Sequence, residues 1–413
     1  MDRVSSNLPN DSMQFYLRER QDMMLRIQNQ IASQSRIEEL RDDPIAAAHA
    51  TRYRSYQVRL ERFSDNTQTI KHRNQLTEGY IQQAVDMLQR ARELAVQGAN
   101  GTYEAQDLAY MGGEIDQLLT ELIEVGNARS ADGTTMFAGD RSQQLPFRAL
   151  RGIRAGGAQE LITEVQYTGT INQQFGEISE NNYVQTNFPG NQVFWAENQR
   201  ILSRTGAEGF QVDQDSTILV DGREIQLRAG DTAFSVVEKI NASGALVRAA
   251  IDPVFGSVSL ESTSPHQIWL QDGAGSTVLQ DLGLINDERP PQNLAASANR
   301  AGGSAFDALI QLRDQLFAAD QEAVGSRGIL ALDLALDNML TNLGRLGAIN
   351  SRLDVAYQRT QAELPEVMAQ DSLMTDVDMA EAITDLSRLE ATHRAALGVS
   401  ARVIQPTLLD FLR

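Results

Sequence analysis

Stepping alternately by three and four residues from Ile329 reaches Leu332, Leu336, Met339, Leu343, Leu346, Asn350, Leu353, Tyr357, Thr360, Leu364 and Val367, and only Asn350 and Thr360 in that series are polar. An apolar stripe this long, with a 3.5-residue period, cannot be buried by one helix alone and requires a second long helix beside it. Proline placement shows where that partner can lie. The ten prolines stand at 9, 44, 146, 189, 253, 265, 290, 291, 365 and 406, so none falls between 44 and 146 or between 291 and 365. Because proline breaks helix interiors, long helices are confined to those two windows. The seam, with Leu332, Leu336, Leu343, Leu346 and Leu353 as its inward residues, is therefore expected to pair within the chain against helices between Asp43 and Arg129. Two ends paired as long helices, with everything else looped between them, make a rod. Such a shape suits polymerisation or scaffolding better than catalysis.

A first helix is predicted over 13–39, with Leu17, Met24, Ile27 and Ile31 on one stripe. Asp43 then caps a second helix that has Pro44 at its first position, a favoured start. This helix is expected to continue to Gly98, roughly 80 Å at the helical rise. After the turn Gly98-Ala99-Asn100-Gly101, a third helix is expected over 103–129, where Leu108, Ile115, Leu118, Leu119, Leu122 and Val125 follow a 3.6-residue period. From Phe137 the pattern changes to glycine-rich alternation: Ile218/Val220, Ile225/Leu227, Val247/Ala249/Ile251, Val258/Leu260 and Ile268/Leu270 have the period of half-buried strands. One short helix, 233–240, is capped by Asp231 or Thr232. After Gly302-Gly303 the helices return. Pro365 is expected to kink or break the seam near Leu364, and a last helix is expected over 376–399. The fold class is thus mainly α with a β-rich middle: N- and C-terminal long helices paired as a rod that carries an inserted β domain.

Charge and composition narrow the function. A net charge of −19 repels nucleic acid and anionic membrane surfaces alike, and no run approaches the roughly 20 apolar residues of a membrane span. The polar start, Met1 to Met13, lacks the apolar stretch of a secretory signal peptide. There is no cysteine, which removes disulfides, thiolate metal sites and thiol nucleophiles together. Glu390 and His393 have the spacing of two ligands on one helix face, but di-iron bundles need that motif twice, so a solvated helix face is expected. Gly273-Ala274-Gly275-Ser276 lacks the Gly-Lys-Ser/Thr of a phosphate loop and is read as a turn. No catalytic residue, cofactor site or metal site is expected.

Several short motifs carry a resemblance. Asp42-Asp43-Pro44-Ile45-Ala46-Ala47 resembles the turn after the first helix of flagellins and their junction relatives. Met136-Phe137-Ala138-Gly139, followed by Pro146-Phe147, is similar to the signature of the hook-associated protein 3 branch of the flagellin-like family. Val165-Gln166-Tyr167-Thr168-Gly169 and Pro189-Gly190-Asn191-Gln192-Val193-Phe194 resemble strands opening that family's middle domain. The stretch from Ile218 to Ile285 looks like its hook IN module, through Val220-Asp221-Gly222, Gly230-Asp231-Thr232, Val237 to Ala242 and Asp281-Leu282-Gly283-Leu284. Leu346 to Leu353, Asp376 to Ile383 and Leu408-Leu409-Asp410-Phe411-Leu412 resemble its C-terminal helices and apolar tail. Pro365 departs from the family, which normally leaves that helix uninterrupted.

The resemblance implies a division into an N-terminal assembly helix, 1–40, disordered in the free subunit; the two halves of the helical rod, 41–136 and 301–369; a β-rich middle, 137–300, with a hook IN module at 217–285; and a C-terminal assembly helix with its apolar tail, 370–413. It also implies a structural junction protein of the bacterial flagellum, polymerising between hook and filament and seeding flagellin. The intersubunit contacts would involve Ile27, Ile31, Ile383, Leu386, Leu409, Phe411 and Leu412. Implied partners are further copies of the chain, the inner hook-associated junction protein, flagellin, the flagellar export apparatus and a cytoplasmic chaperone. Nucleic acid and membrane insertion are not expected. The implied location is the flagellum, extracellular or periplasmic, reached through the flagellar secretion system. A flagellin shares both terminal regions, and a cytoplasmic scaffold coiled coil shares the heptads; the Phe137-Ala138-Gly139 form and the hook module weigh against the flagellin.

Overall fold

A computed structural model describes residues 8–39, 41–153 and 160–403. They fall into two compact units: one drawn from the described parts of 1–65 and 357–413, the other from Asn66–Ala356. Two long helices, α2 (Pro44–Gly98) and α9 (Ile329–Thr375), contribute residues to both.

In the first unit, α1 (Leu8–Ser33) packs against α10 (Met379–Val403). Helix α1 ends at Ser33, short of the expected 39, where Gln34 takes a left-handed φ of 56° and the chain leaves the helical path. Beside this pair, Leu60 and Phe63 of α2 pack on Val367 of α9, flanked by Tyr53, Tyr56 and Leu364. Tyr56 donates to Glu363 at 2.5 Å and Arg54 to Asp371 at 3.3 Å. Of the kink or break expected at Pro365, the break does not occur, for α9 is continuous to Thr375 with Pro365 inside it. Leu364 and Val367, on either side of the proline, keep their apolar contacts with Leu60 and Phe63 of α2 although the proline lacks a donor.

The second unit begins with the rest of α2 and with α3 (Ala105–Gly126), whose Glu104 and Asp107 form a reciprocal capping box. The middle is antiparallel throughout its named sheets. Hairpins β1–β2 (Phe147–Ile153, Glu160–Tyr167) and β3–β4 (Phe175–Ser179, Asn182–Gln185) precede a short helix, α4 (Gly190–Val193). One sheet has the order β11-β5-β9-β8 (β5 Arg200–Leu202, β8 Val247–Ile251, β9 Val258–Ser262, β11 Asn299–Ala301). Another has the order β10-β6-β7 (β6 Ser216–Val220, β7 Arg223–Leu227, β10 Leu270–Asp272). Asp221 and Gly222, both at positive φ, form the two-residue loop between β6 and β7, the geometry that an Asp-Gly hairpin turn favours. Helix α5 (Ala233–Ala242) starts at Thr232, whose side chain accepts from the Ser235 N–H. Val236 and Ile240 of α5 join Ile218, Val220, Val258, Leu260, Leu282 and Leu284 in one apolar cluster, with α6 (Val278–Asp281) at its edge. Gly273 to Ser276 closes as a turn, Ser276 N–H donating to Gly273 O at 3.0 Å.

The helical return comprises α7 (Ala305–Phe317), α8 (Gln321–Ala323), one π turn (324–328) and α9. The main core gathers Ile81, Leu88 and Ala95 of α2, Leu108, Ile115 and Leu122 of α3, Leu309 and Leu312 of α7, and Leu332, Met339 and Leu346 of α9. Arg313 of α7 is buried in it, its charge met by Asp116 at 2.7 Å and Asp314 at 3.0 Å.

Candidate assembly surface

The crossing of the two chain ends is built from a few polar residues. After Gln34, Ser35 forms an antiparallel bridge with Asp376. Arg36 N–H donates to Thr375 O at 2.7 Å, and Val377 N–H to Gln34 O at 3.2 Å. The Arg36 guanidinium then donates to Met374 O at 2.9 Å and to Asp43 at 3.3 Å. It therefore satisfies a carbonyl in the last turn of α9, where helix carbonyls lack partners and a cation is favoured.

The adjacent acids do different work. Asp42 accepts the N–H groups of Glu38 at 3.2 Å and Glu39 at 3.0 Å and pairs with Arg26. Asp43 caps α2, accepting from Ala46 N–H at 3.0 Å. Both carboxyls are held below the usual carboxylate range. For Asp42 the N–H of Glu39 is the largest stabilising contact, and for Asp43 that of Ala46, with Arg26 and Arg36 adding to them respectively. Asp378 plays the matching part for α10, accepting from Ala380 N–H at 2.9 Å and Glu381 N–H at 3.2 Å.

The helices held by this crossing remain apolar on the outside. Ile27 and Ile31 are only half-buried, as are Met13, Leu17 and Met24. On α10, Leu386 is half-buried and Ile383 is 52% exposed, with Ala382 the buried contact. Phe15 (65%), Leu373 (83%) and Leu397 (48%) stand largely in solvent. Between α1 and α10 lies an apolar groove of about 440 Å³, bordered by Met13, Leu17, Ala396 and Val399, where Arg20 donates to Thr392 O at 3.2 Å. Within the single chain, the α1–α10 pairing half-covers the two terminal stripes. Leu409, Phe411 and Leu412 lie outside the described residues.

The seam residues lie elsewhere. Leu332, Leu336, Leu346 and Leu353 are buried and Leu343 is half-buried; the first four of the five in chain order belong to or pack on the main core, while Leu353 joins Ile70, Ile178 and Val184. Glu390 is engaged by Arg394 at 3.3 Å, and among the described residues no cluster of three metal-binding side chains occurs. The crossing through Ser35, Arg36 and Thr375 was not anticipated. Its sequence signal is weak, since a single backbone bridge leaves no periodicity.

The short motifs of the middle converge on one place. Phe137, Phe147, Tyr167 and Phe194 pack with Phe306 of α7, ring centroids lying 4.8 to 5.5 Å apart. Burial pushes the Tyr167 hydroxyl's pKa up, and its oxygen lies 2.9 Å from Phe137 O.

The family profile of the bacterial flagellin N-terminal helical region matches residues 4–142, that of the C-terminal helical region matches 329–412, and the flagellin hook IN motif matches 210–264. The flagellar filament 33 kDa core protein of Treponema phagedenis is 35% identical over 109 residues, covering 26% of this chain and 38% of that protein. Flagellar hook-associated protein 3 of Escherichia coli K12 is 27% identical over 136 residues, covering 33% of this chain and 43% of that protein. These matches span less than half the length of either relative. A solved flagellar junction protein from Legionella pneumophila overlays 79% of this chain and 99% of its own, at 19% identity and a TM-score of 0.45. With its two ends matched by the two helical regions of bacterial flagellin, together more than half of its length, and a hook IN motif between them, the chain belongs to the flagellin-like family of bacterial flagellar proteins.

Proposed function

We propose that this chain is a structural junction protein of the flagellum, polymerising between hook and filament, adapting one to the other and seeding flagellin assembly. The observation that carries this reading is the apolar surface left on α1 and α10. Phe15 of α1 and Ile383 and Leu397 of α10 stand in solvent in the single chain, and exposed apolar surface on paired helices marks a site for further protein. Leu409, Phe411 and Leu412 extend the same chemistry in sequence. The work is assembly rather than catalysis. The motif Phe137-Ala138-Gly139 and the hook IN motif favour the junction over the filament. Partners under this reading are further copies of the chain, the inner hook-associated junction protein and flagellin. The export apparatus with a cytoplasmic chaperone would deliver the chain, unfolded, to an extracellular or periplasmic flagellum.

A second reading, filament subunit, is favoured by the likeness to a Treponema filament core protein. Deleting the gene separates the two. Hooks without filaments, with flagellin lost unpolymerised into the medium, are the outcome expected of a junction protein. Hooks without filaments and no flagellin anywhere would make this chain the flagellin, and normal filaments would overturn both readings.

A further inference from the structure

The seam between α2 and α9 carries a flaw at one level. On α2, Ile70, Asn74, Thr77, Ile81, Ala84, Leu88, Ala91 and Ala95 form a heptad stripe, every member buried. The helices run antiparallel: Arg92 meets Asp333 at 2.5 Å, Asn350 donates to Glu78 at 3.1 Å, and Lys71 pairs with Asp354. Lys71 and Glu78 bracket Asn74, so the α9 turn from Asn350 to Asp354 lies opposite it. Asn74 is 0% exposed, and neither its Nδ2 nor its Oδ1 has a hydrogen-bond partner; the buried Oδ1 of Asn350 has none either. The level separates two apolar clusters, one containing Ile81 and Leu346, the other Ile70 and Leu353 with Ile178 and Val184. One turn along, the Thr77 hydroxyl donates back to Arg73 O at 2.9 Å, a bond that competes with the helix's own ladder.

We propose that this polar level is a preset opening site, where α2 and α9 part before the apolar clusters on either side give way. A buried amide without partners forfeits its hydration on folding and receives nothing in return. Separation at this level returns water to Asn74 and to Asn350 Oδ1, whereas separation at Leu88 or Met339 exposes fully buried apolar side chains. Opening here therefore costs less than elsewhere along the same seam, and local opening is drawn from such low-stability segments. In a polymerising protein it would let the paired helices yield locally while the main core stays closed. The inference rests on this seam alone, whichever part of the flagellum the chain serves.

Native-state hydrogen exchange on the full-length monomer, read by mass spectrometry, tests it. The amides of 70–78 and 347–353 should exchange at least about tenfold faster than those of 84–95 and 332–343. Equal protection along the seam would overturn the proposal without any variant being made. Asn74→Leu replaces the amide by an apolar group of similar size, and should raise the melting temperature and slow exchange at this level towards that of its neighbours. A lower melting temperature, or an unchanged contrast in exchange, would mean that the amide is well accommodated, and the proposal would fail.

Discussion

At the residue scale, the middle of the chain turns on positions whose neighbours decide their identity. Gly139 adopts φ +70°, and a Cβ there would stand 2.3 Å from the Thr170 carbonyl oxygen. Gly139→Ala is therefore expected to destabilise the protein by more than the roughly 1–2 kcal/mol that a left-handed conformation alone costs, as read from urea unfolding. This explains a motif that in the sequence is only a string: Phe137 fills the aromatic cluster and Gly139 lets the chain pass Thr170. The cluster itself was not legible, because Phe137, Phe147, Tyr167, Phe194 and Phe306 come from separate segments and share no period. Asp42 and Asp43 make a prediction about pH. Their carboxyls titrate lower in the folded state than in the unfolded one, so their contribution is complete above the ordinary carboxylate value, about 4, and fades as the pH falls through the folded-state values. Melting temperature followed from neutral to acid pH should fall less steeply below about pH 4 in an Asp42→Asn, Asp43→Asn protein than in the wild type. Parallel curves would show that the turn contributes nothing to acid sensitivity.

At the scale of elements, the long helices were the most legible part of the chain. A heptad period and a proline-free window are both local, and together they place α2 from Pro44 to Gly98, as well as the inward leucines of α9. The ends of the outer helices were less legible. Helix α1 stops at Ser33 because a bridge to Asp376 redirects the backbone, and that contact links residues more than three hundred positions apart. At Pro365 a local rule fails, for the helix runs on through the proline. Its ring removes the donor that the Gln361 carbonyl would use, yet Leu364 and Val367 stay packed on the α2 residues Leu60 and Phe63. If those contacts hold the helix against the proline's preference, Pro365→Ala should restore the bond and stabilise the protein by an amount on the order of 1–3 kcal/mol. Chemical denaturation measures this directly. No gain would mean that the helix already accommodates the ring at no cost.

At the scale of the whole molecule, two facts pull against each other. The chain carries a net charge of −19, which keeps copies apart in solution, and it leaves large apolar side chains of α1 and α10 uncovered. Assembly has to gain enough from burying the second to offset the first. Ile383 and Leu397 are suitable probes because neither is fully covered within the chain, so changing them spares the apolar clusters of both units. Ile383→Asp with Leu397→Asp should leave the melting temperature of the monomer within about 1–2 °C of the wild type, as expected of surface substitutions. It should also abolish incorporation into flagella, measured as the amount of this protein in sheared and purified filaments with their hooks. Each aspartate adds charge at a surface that has to lose its water, so the loss should be nearly complete rather than graded. Normal incorporation would show that α10 does not bear on neighbouring copies, and the assembly surface would then have to be sought in the middle domain. A melting temperature lowered by many degrees would instead place these two side chains inside the α1–α10 pair, contrary to their exposure.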